Sequence, residues 1–208
     1  MAYSEFTLNI LREAFDIREK DVVLFNKKAL PAMKPSPALV EDLTYASYMA
    51  LGSEKSRAAH FIVPIFKEFI KNQRYRCQYY AGYHFDIDKT RGLSGYCDFL
   101  FSAERSQDIK STVFCVVEAK NRNIADSIAE AGAEMFAAQI FNAQNNMPTP
   151  IVYGCVTDGI TWRFLKLEGN ILHKDIETYF ADEMTVGHLL RVFETIMNPF
   201  CDKVAAIK

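Results

Sequence analysis

Two charged residues directly follow the most apolar run of the chain. Residues 113–117, VFCVV, are continuously apolar and rich in β-branched side chains, which is typical of a strand covered on both faces. Glu118 and Lys120 come next, two residues apart, so they point to the same side if the strand continues. Burying either charge alone costs roughly several kcal/mol. Either the strand surfaces here and leaves both charges in water, or the charges form a site.

Further polar residues could join this pair. Asp98 lies within the apolar segment GYCDFLF, on the strand predicted just before, Glu54 begins an amphipathic helix, and Gln139 lies on the helix after the Glu118 strand. Two acids on adjacent strands, together with the carbonyl of Ala119, could form the oxygen cage that Mg²⁺ or Mn²⁺ requires. A lysine two residues beyond Glu118 can hold or deprotonate a water molecule. Together these groups suit hydrolysis of a phosphodiester.

The N-terminal part of the chain, which precedes the strands that carry these residues, is predicted to form helices and loops. We expect a helix in residues 5–15, a short strand in residues 22–25 and an ordered loop in KALPAMKPSP. Pro37 suits the first turn of a helix through ALVEDLTYASYMA, and Ser53 suits the cap of the next helix.

That next helix, SEKSRAAHFIVPIFKEFIKNQ, is strongly amphipathic, and Pro64 should kink it. Its predicted buried face repeats at three- and four-residue spacing and comprises Ala58, Phe61, Ile62, Ile65, Phe66 and Phe69.

Strand patterns dominate the middle of the chain. CQYYAGYHFDID and GYCDFLFSA flank a turn-rich segment and predict an antiparallel hairpin, which STVFCVVEAKN follows as a third strand. An Ala-rich helix, a meander with two-residue turns at Asp158-Gly159 and Gly169-Asn170, and a closing helix in residues 185–198 complete the order. This order predicts one α/β domain, with helices on a mixed sheet.

Composition favours a globular protein. The chain has 208 residues, half of them hydrophobic, and a formal net charge of -2, so its overall charge gives no sign of nucleic-acid binding. Five cysteines without close pairing predict reduced, packed thiols. No apolar run approaches the ~20 residues of a membrane span and no signal peptide begins the chain, so we expect a cytoplasmic protein without membrane contact.

Asp98, nineteen intervening residues and then Glu118-Ala119-Lys120 resemble the PD-(D/E)xK nuclease superfamily, which has the restriction-endonuclease-like fold. The sequence is similar to the N-terminal nuclease domain of type I restriction enzyme R subunits and to small stand-alone relatives. The resemblance covers roughly residues 50–167, leaving residues 1–49 as an N-terminal extension and 168–208 as a C-terminal strand and helix. It implies that Asp98, Glu118 and the Ala119 carbonyl ligate the metal and that Lys120 positions the attacking water.

The same resemblance implies that Glu54 binds a second ion or a metal-bound water. It also implies that Gln139 orients Lys120, the water or a backbone phosphate. Glu54 also suits an ordinary helix start, where the helix dipole favours acids, and Gln139 could simply face solvent. Asp86 and Asp88 are expected to form a turn rather than bind metal, and Trp162 to pack in the core.

The leading expectation is Mg²⁺-dependent cleavage of nucleic acid, most simply by a DNA endonuclease acting as a homodimer or within a larger restriction- or repair-type assembly. One alternative is a catalytically silent binding module of the same fold. Another is a metal-dependent hydrolase of smaller phosphate esters. Seven basic residues could form either a phosphate-binding rim or a face that is simply solvated. They are Arg74, Arg76, Lys89, Arg91, Arg105, Lys110 and Arg122.

Overall fold

The chain folds as a single α/β domain built on one mixed sheet, which confirms the predicted fold class. The structure is a computed structural model that describes residues 2–103, 105–110, 112–120, 124–147 and 149–207, with side chains as far as residue 200. Eight strands lie in the described part of the chain, with helices on both faces of the sheet.

The strands are β1 Arg18–Val22, β2 Gln78–His84, β3 Tyr96–Ser102, β4 Val113–Ala119, β5 Ile151–Thr157, β6 Thr161–Glu168, β7 Ile171–Asp175 and β8 Tyr179–Phe180. They follow one path across the sheet, β1-β7-β6-β5-β4-β3-β2, and β8 pairs with β6. The β4–β5 and β1–β7 pairs are parallel and the others are antiparallel.

Two apolar cores cover the two faces of the sheet. One packs under α2, α4 and α6, and the other under α1 and α5. The helices are α1 Leu8–Phe15, α2 Pro37–Ser47, α3 Glu54–Arg57, α4 Val63–Asn72, α5 Ile128–Gln144 and α6 Val186–Ile207, with shorter 3-10 turns between some of them.

The central strand β4 is buried along its whole length, as its apolar sequence predicts. Its side chains alternate between the cores, with Val117 on the α4 side and Val116 on the α5 side. Helix α5 then crosses over the sheet and leads into β5, which lies parallel to β4. This crossover places the start of α5 beside the end of β4.

The amphipathic helix is continuous but irregular at the predicted kink. Ser53 caps α3 with its side chain, and a π-helical turn at Ala58–Ile62 joins α3 to α4. Pro64 closely follows this π-helical turn, and the irregular turn accommodates a residue without a backbone N–H. The predicted buried face is correct at Phe61, Ile62, Ile65, Phe66 and Phe69, which are buried, while Ala58 is half-buried against the same core.

Two local predictions are wrong. The first strand occupies Arg18–Val22 rather than residues 22–25, because its charged side chains pair across to β7, as in the contact between Glu19 and Lys174. The Asp158-Gly159 turn has three residues between its strands, because the Asp158 carboxylate accepts hydrogen bonds from the amides of Ile160 and Thr161. The two-residue turn at Gly169-Asn170 is confirmed, with Gly169 at a φ of 58°.

Both ends of the chain belong to the same sheet and cores. The predicted N-terminal extension supplies β1, which pairs with β7 from the predicted C-terminal part. The closing helix extends to Ile207, past the predicted end, with Pro199 inside it.

Cys77, Cys97, Cys115 and Cys155 are buried free thiols, as expected, and the side chain of Cys201 lies outside the described part of the chain. Among the described residues, no helix has both the length and the apolar character that crossing a membrane requires.

Candidate functional site

Glu118 and Lys120 meet at the end of β4, beside α5. Glu118 is the sixth residue of the buried strand and is only 2% exposed. Lys120 follows the strand, and its Nζ lies 2.5 Å from Glu118 Oε1 and 2.9 Å from Glu130 Oε2. The strand therefore does not simply surface at this pair, because the lysine turns back over the glutamate.

Asp98 reaches the same place from β3. Its Oδ2 accepts a hydrogen bond of 2.8 Å from the backbone N–H of Ala119. Burial raises the pKa of Asp98, the Ala119 bond opposes this, and Glu54 raises the pKa further. The carboxylate is thus fixed at the end of β4, next to Glu118.

Glu54 lies near Asp98, at the start of α3. It is the first residue of α3, directly after the Ser53 cap, and is half-buried. Its effect on the pKa of Asp98 places its carboxylate within electrostatic range of that residue. Five of the predicted residues therefore gather at one end of the sheet, namely Asp98, Glu118, Ala119, Lys120 and Glu54.

Gln139 does not join them. Its side-chain amide donates to the carbonyls of Pro150 and Leu167, at the far end of β5. Glu118 pairs with Val156, six residues beyond Pro150, so Gln139 is bound roughly 20 Å along the sheet from Glu118. A direct role for Gln139 in orienting Lys120 is incompatible with this placement.

Helix α5 contributes two other acids that the sequence analysis missed. Glu130 and Glu134 lie one helical turn apart, and one oxygen from each lies within 4.8 Å of the other and of a Glu118 oxygen. Glu134 is fully buried, and neither of its oxygens has a hydrogen-bond partner among the described residues. A glutamate within the small, apolar segment AGAEMFAA was the available signal.

Crowding of acids changes the protonation of the site. Burial raises the pKa of Glu118 to about 9, and Asp98 and Glu130 add to the shift, while the Lys120 contact only partly opposes it. Burial likewise raises the pKa of Glu134 well above its usual range. The Cys97 thiol lies near Glu134 and, as a weak donor, opposes this rise in the pKa, although it is not placed to make a full hydrogen bond to either oxygen.

Lys120 remains a cation. Burial lowers its pKa, but the attraction of Glu118 and Glu130 outweighs burial and raises the pKa above the usual lysine range. Its ammonium group therefore donates hydrogen bonds at neutral pH and does not serve as a base in this arrangement.

These residues fit a hard divalent cation. The donors are carboxylate oxygens, which Mg²⁺ and Mn²⁺ prefer, and the local acids outnumber the single ammonium group of Lys120. The raised pKa values of Glu118 and Glu134 indicate that this buried, acidic site disfavours their charged forms, which a bound cation would stabilise.

Two members of the suggested basic rim have acidic partners within the chain. Lys89 pairs with Asp86, and Arg91 pairs with Asp88 and lies over Phe15. Asp88 also caps a short 3-10 turn, so the two aspartates form a turn as expected. Arg122 lies outside the described residues. Trp162 is fully buried, as predicted.

Comparison with protein-family models gives no match, and comparison with curated proteins gives none.

Proposed function

We propose that this chain is a Mg²⁺-dependent hydrolase of nucleic-acid phosphodiester bonds, most simply a DNA endonuclease. One observation carries the proposal: Asp98 is fixed on the Ala119 amide beside the Glu118–Lys120 pair, at the end of a fully buried strand. Carboxylates that can hold a metal ion, with a cationic donor nearby, suit metal-dependent hydrolysis of a phosphodiester. The sequence resemblance to PD-(D/E)xK nucleases supports the same reaction.

Asp98, Glu118 and the carbonyl of Ala119 would hold the cation. When bound, the cation supplies Lewis-acid polarisation of the phosphate and acidifies a water molecule. The Ala119 amide orients the Asp98 carboxylate, and the buried surroundings of Glu118 keep bulk water from that carboxylate.

Lys120 would act on the substrate through its charge. Because its ammonium group stays protonated, it can hold the attacking water or bind a phosphate oxygen on which charge develops. Its ammonium group has three N–H donors, so it can make such a contact while it keeps Glu118 and Glu130 as partners. Cutting both strands in one binding event would take two such sites, as in a homodimer or a larger assembly.

A cleavage assay tests this proposal. Supercoiled plasmid, single-stranded DNA and RNA are incubated with purified protein in Mg²⁺ or Mn²⁺, and parallel reactions contain EDTA. We expect metal-dependent cleavage of DNA that falls at least about 100-fold in Asp98→Asn and Glu118→Gln. Gln139→Ala is the control, and should cut normally because Gln139 is bound elsewhere. Equal cleavage by all variants, or no cleavage of any substrate, would overturn the proposal.

An apolar groove favours a second candidate function, binding of a protein partner without turnover. A cavity of about 520 Å³ lies between α2, α3 and the β5–β6 turn, and Met49, Ile160 and Met184 at its edge are exposed. Asp182 and Glu183 also line it, which suits an apolar segment with flanking basic residues. Binding of a Leu- and Arg-rich helical peptide, lost in Met184→Glu, would support this function if no nucleic acid is cut; no binding would remove it.

A further inference from the structure

Glu134 carries a buried carboxylate without a hydrogen-bond partner among the described residues. It lies in the middle of α5 and has no exposed surface. Buried polar groups are normally bonded, and a lone buried carboxylate is strongly unfavourable whether or not it holds a proton. An unpaired carboxylate at such a position suggests that it binds a ligand.

Two further carboxylates surround the same point. Glu130, one turn earlier on α5, and Glu118, on β4, each place an oxygen within 4.8 Å of an oxygen of Glu134 and of each other. Oxygens bound to one divalent cation at about 2.0–2.6 Å are themselves about 3–5 Å apart. The three groups are therefore already near the spacing that one ion requires.

The other neighbours do not replace an ion. Lys120 contacts Glu118 and Glu130, so the contacts of its ammonium group leave Glu134 without a partner. From β3, Asp98 adds another acid nearby, and Cys97 supplies a thiol, which is only a weak donor and is not placed to make a full hydrogen bond to either Glu134 oxygen. All three glutamates belong to secondary structure, which holds the carboxylates in place.

We propose that Glu118, Glu130 and Glu134 form a separate site for a hard divalent cation, on the α5 side of β4. It shares Glu118 with the cation position of the proposed function and uses neither Asp98 nor Ala119. The site itself does not depend on nuclease activity.

This cation would also control Lys120. An ion bound between Glu118 and Glu130 takes over the charge compensation that Lys120 now provides to both residues. The ammonium group is then free to turn toward a phosphate. This consequence, unlike the site, rests on the proposed function.

Counting bound Mn²⁺ tests the site directly. The full chain is titrated with Mn²⁺, and free ion is followed by electron paramagnetic resonance. We expect about two ions per wild-type chain, with one lost in Asp98→Asn and the other lost or weakened at least about 10-fold in Glu134→Gln. Glu130→Gln, at a half-buried position, gives the same readout with less risk to folding.

Asp175→Asn is the matched control, since Asp175 is equally buried but lies three strands away from β4, and it should keep both ions. Circular dichroism verifies that each variant folds. If Glu130→Gln and Glu134→Gln both bind Mn²⁺ as wild type does, or if wild type binds no ion or only the ion that depends on Asp98, the second site is refuted. Loss in both glutamate variants without DNA cleavage by wild type would support the site and overturn only the nuclease proposal.

Discussion

The Asp98 carboxylate on β3 accepts a 2.8 Å hydrogen bond from the backbone amide of Ala119 on β4. This bond lies beyond the last paired residues of the two strands, Phe99 and Val117. One side chain thus closes the end of the strand pair and presents a second oxygen to the site. Its structural role and its proposed metal-binding role are separable by mutation.

Asp98→Asn should separate them. The asparagine carbonyl can still accept from Ala119, so the free energy of unfolding should stay near that of wild type, whereas Asp98→Ala should lose about 1–3 kcal/mol by leaving the amide unpaired. DNA cleavage should be lost in both variants. Urea denaturation and a plasmid assay measure the two effects, and an Asn variant as unstable as the Ala variant would show that the bond is not kept.

Glu134→Met should stabilise the protein in EDTA. The methionine removes a buried carboxyl group without hydrogen bonds and fills a similar volume, so we expect the free energy of unfolding to rise by about 1–3 kcal/mol. Thermal and urea denaturation measure the change.

Glu68→Met is its matched control. Glu68 is also buried, but both its oxygens accept hydrogen bonds from Ser36, so its replacement should destabilise. If Glu134→Met destabilises as much as Glu68→Met, the Glu134 carboxyl has a stabilising partner and its unsatisfied state is refuted.

Lys120→Met should split two properties of the site. Because the lysine competes with a cation for Glu118 and Glu130, its removal should raise Mn²⁺ affinity while abolishing DNA cleavage. Calorimetry and the plasmid assay give the two readouts. Weaker Mn²⁺ binding in this variant would instead indicate that the lysine supports the ion.

Asp175 lies far from the site and makes the free energy of unfolding depend on pH. Burial raises its pKa above 3.8, so the folded state favours the protonated form, and this contribution is lost as pH rises through the folded-state pKa. Asp175→Asn keeps an oxygen acceptor for the amides of Leu24 and Glu177. Its stability relative to wild type should increase from about pH 3.5 to pH 7 in urea titrations; a constant difference would contradict the raised pKa.

The central strand and its charged end were predictable from sequence. A continuous β-branched run ended by Glu118 and Lys120 is informative because burial of charge needs a reason. Asp98 was predictable for the same reason, since apolar residues surround it on the neighbouring strand.

A glutamate within AGAEMFAA was a signal for α5, but which face of this helix meets the site was not predictable, because it depends on how the helix lies over β4. Glu130 and Glu134 share a helical face, while Gln139 lies about 140° around the axis from Glu134 and further along it. An Ala-rich helix has little amphipathic pattern to show which face meets the sheet. Similarly, β1 has a charged sequence, and only its partner β7 makes it a strand.

The central claim is metal-dependent cleavage by the Asp98, Glu118 and Lys120 constellation. The most direct measurement is the rate at which wild type and Glu118→Gln convert supercoiled plasmid to nicked or linear DNA in Mg²⁺. The account predicts cleavage by wild type that EDTA stops, and a rate at least about 100-fold lower in Glu118→Gln. Equal rates for the two proteins, or no cleavage by wild type, would contradict it.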